Sequence, residues 1–98
     1  MKPHIFHPDA DEEYVQAVQY YADINRELGC RFHDEMESHI REACAHPKRF
    51  WQFNPPVRRH LSRDFPYAVV FLEQPERIWI IAVMHLQRRP GYWRGRLG

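Results

Sequence analysis

Three basic clusters hold the residue types that could do chemistry. Arg58, Arg59, His60 and Arg63 form the first. His85 ends the most apolar stretch of the chain and is the second. Arg88, Arg89, Arg94 and Arg96, interleaved with Tyr92 and Trp93, form the third. Arginine offers phosphate a rigid two-pronged fork, and aromatic rings offer stacking faces to unpaired bases. The combination suits single-stranded RNA. In a cleavage reaction the arginines would stabilise charge developing on phosphate, and His85 or Tyr92 would move a proton. The plainer alternative is a solvated arginine face, with Trp93 packed on the core and His85 a hydrogen-bonded strand-end histidine.

Other chemistries find less support. The chain has seven histidines but no His-x-x-x-His and no Cys-x-x-Cys, and His33 and His39 do not share a helical face, so no metal site is expected. Ser38 and Ser62 lack a nucleophile-elbow context. The four glycines, Gly29, Gly91, Gly95 and Gly98, make no phosphate loop, and no cofactor is expected. Cys30 and Cys44 fall in one predicted helix about 21 Å apart, too far for a disulfide, and read as free thiols.

Elements must position these residues. Lys2–His7 reads as an opening strand that Pro8 stops, and Pro8 suits the first turn of a helix. Asp9, Asp11, Glu12 and Glu13 favour the positive helix N-terminus, and Asp9 with Glu12 has capping-box spacing. Ala10, Tyr14, Ala17, Tyr21, Ile24 and Leu28 recur at helical steps, with Gly29 placed as a C-cap. Phe32, Met36, Ile40, Ala43 and Cys44 form a second stripe that Pro47 ends. With almost no loop between them, the two helices should form an antiparallel hairpin. After a loop with Phe50, Trp51 and Phe53, the segments Val57–Ser62, Tyr67–Leu72 and Ile78–His85 read as strands. Phe65–Pro66–Tyr67 should form the turn into the middle one, since Pro66 cannot donate to a ladder. Short linkers predict antiparallel neighbours, and Ile78–Met84, apolar on both faces, belongs mid-sheet. The expected fold class is α+β: a two-layer β-α-α-β-β-β order, the helical hairpin packed on an antiparallel sheet.

Length permits a single domain over residues 1–98, and an apolar share of 44% argues against disorder. No apolar run approaches a membrane span and the N-terminus does not resemble a signal peptide, so a cytoplasmic protein is expected. Net charge is only +1, yet ten acids and four bases fall in residues 1–46, against three acids and ten bases in residues 47–98. The basic half calls for a polyanion or an acidic protein partner, unless the two halves neutralise each other.

Taken together, four segments resemble the RelE/ParE toxin superfamily, in particular the ParE-like, plasmid stabilisation branch. They are Arg58–Arg59–His60–Leu61, Asp64–Phe65–Pro66–Tyr67, Ile80 to His85, and Arg88–Arg89–Pro90–Gly91–Tyr92–Trp93. His7–Pro8, Tyr20–Tyr21, Gly29 with Arg31–Phe32, and Pro47 agree with it, so the likeness runs from about residue 4 to 96. The resemblance implies a growth-inhibiting toxin of a type II toxin–antitoxin system, with a cognate antitoxin as partner in a hetero-oligomer. Its target would be DNA gyrase, or mRNA on the ribosome; in the second case the chain would be a ribosome-dependent endoribonuclease. Carried over residue by residue, Arg59, Arg63 and Arg88 match phosphate-contacting positions, and His85 and Tyr92 match proton-transfer positions. Several RNase members carry a lysine pair before or on the second strand. Here Lys48 is the only lysine after residue 2, which leans toward the ParE-like branch. The alternative, from another class, is a non-toxic protein-binding module of the same fold.

Overall fold

The computed structural model describes residues 1–97. Strand β1 (His4–Phe6) leads into helices α1 (Pro8–Ile24) and α2 (Arg26–Ala45). A 3₁₀ turn at Pro47–Arg49 and a loop precede strands β2 (Arg58–Leu61), β3 (Tyr67–Glu73) and β4 (Ile78–His85), and a 3₁₀ turn at Arg94–Leu97 ends the described chain. The sheet order is β1-β4-β3-β2, so β4 is interior, as its apolar faces require.

The sheet is mixed rather than antiparallel. β2–β3 and β3–β4 are antiparallel, but β1 lies parallel to β4, with His4 opposite Ile78 and Phe6 opposite Ile80. Chain direction explains this. α1 continues the direction of β1: Tyr14 stacks on Phe6, Glu13 reaches Val83, and Tyr21 meets Tyr67 at the start of β3. α2 then returns, and the Cys44 carbonyl accepts the Lys2 N–H beside the start of β1. β2 therefore runs parallel to β1, and two hairpins later so does β4. Short linkers constrain only the meander, whose pairs are antiparallel as expected.

The helix boundary also differs from expectation. Asn25 alone joins the helices: its side-chain oxygen accepts the N–H groups of Glu27 (2.8 Å) and Leu28 (3.4 Å), while its own N–H caps α1 on the Tyr21 carbonyl. Gly29 is consequently inside α2 and not a C-cap. It is needed because the helices touch there: a Cβ at Gly29 would lie 2.7 Å from the Ala22 Cβ. At the start of α1 the cap is His7, whose Nδ1 accepts the Asp9 N–H, so Asp9 sits in the first turn instead of capping it. Ile24, at the end of α1, is exposed.

The core has two parts. Between the layers, Ala10, Tyr14, Ala17, Phe32, Met36, Ile40 and Ala43 of the helices pack with Val69, Phe71, Ile78, Ile80 and Val83 of the sheet. On the opposite face Val57, Ala68, Val70, Ile81, Ala82 and Met84 are covered by Trp93, with Phe53 and Tyr92 beside it. The C-terminal segment is thus packed: Trp93 is 1% exposed. Ile78 and Ile80 face the helices, and so do Val83 and His85, because a β-bulge between Val70 and Phe71 on β3 leaves Ile81 unpaired on β4. The extra residue shifts the alternation by one.

Candidate functional site

The bulge decides where His85 goes. Strict alternation from Ile78 would put it on the face that carries Arg59. Instead its ring meets Tyr67 edge-on at 5.0 Å, on the helix side. His85 Nδ1 accepts the Gln87 N–H at 3.0 Å, so in the neutral ring Nε2 carries the proton. With Glu13, Gln16, Ala17, Tyr20, Tyr67, Val83 and Arg88 it lines a cleft of about 210 Å³.

Arg59 pairs in register with Val70 and lies on the opposite face, its guanidinium over the rings of Trp51 (5.2 Å) and Phe53 (4.9 Å). Together with Asn54, Met84, Arg88, Gly91, Trp93 and Arg94, it lines a second cleft of about 290 Å³. Arg94 is aimed by the Asn54 carboxamide oxygen, which accepts from its Nη2 (2.7 Å) and Nε (3.1 Å). Gly91 makes the turn behind it: its φ of +74° is left-handed, and a Cβ there would press on the Arg94 side chain at 3.0 Å. Two residues lining this cleft keep a buried donor without a partner, Arg59 at Nε and Trp93 at Nε1. Buried donors cost free energy until an acceptor reaches them, so the cleft suits an anionic or carbonyl-rich ligand.

Arg88 belongs to both clefts and its guanidinium lies 3.9 Å from the Tyr92 ring. Tyr92 itself is committed. Its hydroxyl donates to Glu13 Oε2 at 2.8 Å, and Arg96 forks onto the same carboxylate through Nη1 (2.9 Å) and Nη2 (2.8 Å). Burial first, then the bond to Glu13, pushes the Tyr92 hydroxyl well above the usual tyrosine range, so it keeps its proton at neutral pH. Arg63 is exposed in the β2–β3 turn and lines neither cleft. The five residues singled out from the sequence are therefore distributed: His85 and Arg88 share one cleft, Arg59 and Arg88 the other. Tyr92 links Arg88 to Glu13, and Arg63 stands apart.

Glu13 was legible only as a helix N-terminal acid. Nothing in its spacing signals that it receives Tyr92, Arg96 and the Val83 N–H (3.1 Å). Among the described residues Arg96 is the one arginine with a carboxylate within 4.0 Å, so Arg59, Arg63, Arg88, Arg89 and Arg94 keep their charge for a partner. A further cleft of about 530 Å³ lies around Met1, Lys2, Cys44–Arg49 and Glu73 and contains none of the predicted site residues.

The sequence matches no protein-family model and no curated protein. Among solved structures, a chain of the "Chromosomal ParDE TA system from P. aeruginosa" superimposes with a TM-score of 0.75, covering 89% of this chain and 98% of that one at 13% identity. The fold is RelE/ParE-like. Within the RelE/ParE-like frame, the sheet face away from the helices bears the aromatic and arginine cleft. The helix-side rim bears His85 and the Glu13 hub.

Proposed function

We propose that this chain is the cytoplasmic toxin of a type II toxin–antitoxin pair and that it arrests growth by binding DNA gyrase rather than by cutting RNA. The shared fold with a ParDE system chain supports the toxin assignment. One observation carries the choice of a binding mode: the Tyr92 hydroxyl and Arg96 are both spent on Glu13, while Arg59 lies on the other side of the sheet from His85. Of the phosphate-binding groups that the resemblance suggested, Arg88 lines the cleft of His85, and Arg59 and Arg63 do not.

The cognate antitoxin, in this reading, lays an acid-bearing segment along the cleft of Arg59, Arg88 and Arg94, where buried donors and unpaired guanidinium groups await acceptors. A stable complex of this kind buries roughly 1,200 Å² or more in total. No described helix is long and apolar enough to cross a membrane, which fits a target inside the cell.

A second reading has one observation in its favour. His85 and Arg88 line the same cleft, the pairing an endoribonuclease would use on a ribose and its phosphate. One experiment separates the two: induction of the chain alone, with growth, message-cleavage mapping and gyrase supercoiling followed in parallel. The expected result is arrest and loss of supercoiling, with intact message, persisting in the His85→Ala, Tyr92→Phe double variant. Message cleavage that falls about 10²–10⁴-fold in that variant would establish the RNase instead. Unimpeded growth with folded protein would leave the non-toxic binding module.

A further inference from the structure

Away from both clefts, α2 and edge strand β2 enclose a second cluster of chemistry-bearing side chains: His39 and Glu42 from the helix, His60 from the strand. The two imidazole rings lie 4.0 Å apart between centroids, and Phe50 stacks on His60 at 4.4 Å. Each ring has one nitrogen already engaged with an acceptor. His39 Nε2 lies 3.2 Å from the Glu35 carboxylate, and His60 Nδ1 lies 3.2 Å from the Leu61 carbonyl. Both partners accept only, so these nitrogens carry the ring protons. In the neutral rings the remaining nitrogens, His39 Nδ1 and His60 Nε2, are therefore bare lone pairs. Both are buried without a hydrogen-bond partner, and His39 as a whole is only 8% exposed. Glu42 Oε1 stands 3.6 Å from His60 Nε2, and the three residues each bring a ligand atom within 4.8 Å of the other two.

Three acceptors converge with no donor among them. Unsatisfied lone pairs in a buried place are costly, and a single cation relieves both ring nitrogens while taking the exposed Glu42 carboxylate as a third ligand. We propose that His39, Glu42 and His60 bind a zinc-type divalent transition-metal ion that clips α2 to β2. Two imidazoles and one carboxylate suit such a metal rather than magnesium or calcium, which demand an oxygen shell. The outer contacts follow the usual arrangement for a metal-bound histidine: each ring donates its other N–H to a carboxylate or carbonyl, fixing tautomer and orientation. Ligand bonds of about 2.0–2.2 Å require the donors to draw together slightly from their present spacing. Glu42, whose side chain is 48% exposed, has the freedom to do so. A water completes the tetrahedron. Sequence spacing could not reveal the site, because its two histidines sit on different elements.

The test uses the full chain stripped of metal by a chelator, titrated with Zn²⁺ and, for its tetrahedral visible absorption, Co²⁺. The expected result is one equivalent bound with a Kd of about 10 μM or tighter. The melting temperature should rise with free Zn²⁺, Mg²⁺ should have no effect, and Glu42→Gln should weaken binding at least tenfold. His60→Gln should abolish binding, whereas His33→Gln, at an exposed histidine elsewhere on α2, should bind as the parent does. Binding weaker than about 10 μM, or a Glu42→Gln variant that loses less than tenfold, would overturn the site. Glu42→Gln keeps the test decisive if His60→Gln does not fold, because Glu42 lies at the surface.

Discussion

Two glutamates, one on each helix, tie the helical layer to the sheet, and they do so by different means. Glu13 on α1 holds the C-terminal segment: it takes a two-pronged bond from Arg96, the Tyr92 hydroxyl and the Val83 N–H. Glu35 on α2 holds the β2–β3 turn. Its Oε2 accepts from the Ser62 hydroxyl, the N–H groups of Arg63 (3.1 Å) and Asp64 (3.3 Å), and His39. The side chains of both are 16% exposed. Burial alone would raise the Glu35 carboxyl, but the bonds from Ser62, the Asp64 N–H and His39 outweigh it and hold it below the usual carboxylate range. One carboxylate is neutralised by a buried cation, the other chiefly by dipoles. A charge-for-charge tie leaves a charge behind when it is cut; a dipole tie leaves only unmet hydrogen bonds.

The largest effect should follow from Glu13→Gln. It leaves the Arg96 guanidinium, whose side chain is 13% exposed, with only the more distant Asp9 carboxylate at 3.8 Å and the Ile81 carbonyl at 3.0 Å, and should cost up to about 3–5 kcal/mol in denaturant unfolding. A cost below about 1 kcal/mol would mean that Arg96 finds water without penalty and that the tail is loosely held. Glu35→Gln keeps one acceptor oxygen for its dipole donors, so about 1–3 kcal/mol is expected. If the two variants cost the same, the distinction between ion and dipole ties fails.

Alkaline pH sharpens the contrast at the Glu13 end. The Tyr92 hydroxyl is raised above its ordinary value of 10.0 by burial and then by the Glu13 carboxylate. An unfolded tyrosine loses its proton near that value while the folded one keeps it, so the contribution of this group is full below about pH 10 and is lost as pH climbs toward the folded pKa. Burial also raises Tyr14, Tyr21 and Tyr67, so the Tyr92 signal is taken as the difference in absorbance at 295 nm with and without Tyr92→Phe; followed against pH, it should titrate late, move earlier in Glu13→Gln and stay put in Glu35→Gln. A Tyr92 that titrates normally in the parent protein would break the link between the hub and the tail.

Much of the local structure was readable in advance because it depends on neighbours in sequence. The stripe Phe32–Met36–Ile40–Ala43 is buried as its period demands, and Ile78–His85 is an interior strand, as its apolar run implies. Pro66 ends its turn where the missing N–H requires, and β3 starts at Tyr67. Gly29 shows the limit: near a helix boundary it looks like a cap, and only the approach of Ala22 reveals a helix contact.

The candidate sites depended on what lies across space. The types and order of Arg59, Arg63, His85, Arg88 and Tyr92 were evident, but not which of them meet. Ile80–Ile81–Ala82 is apolar throughout, so no break in alternation announced the bulge that turns His85 away from Arg59. No local pattern could link Glu13 to Arg96, or His39 to His60, since a side chain's partners across the fold are set by how helices lie on the sheet. Sequence by itself determined the elements and the chemistry they carry, through periodicity, proline and charge. The tertiary structure alone decided the parallel β1–β4 pair, the face each reactive side chain occupies, and which charges are already spent, because those follow from chain direction and packing over long separations.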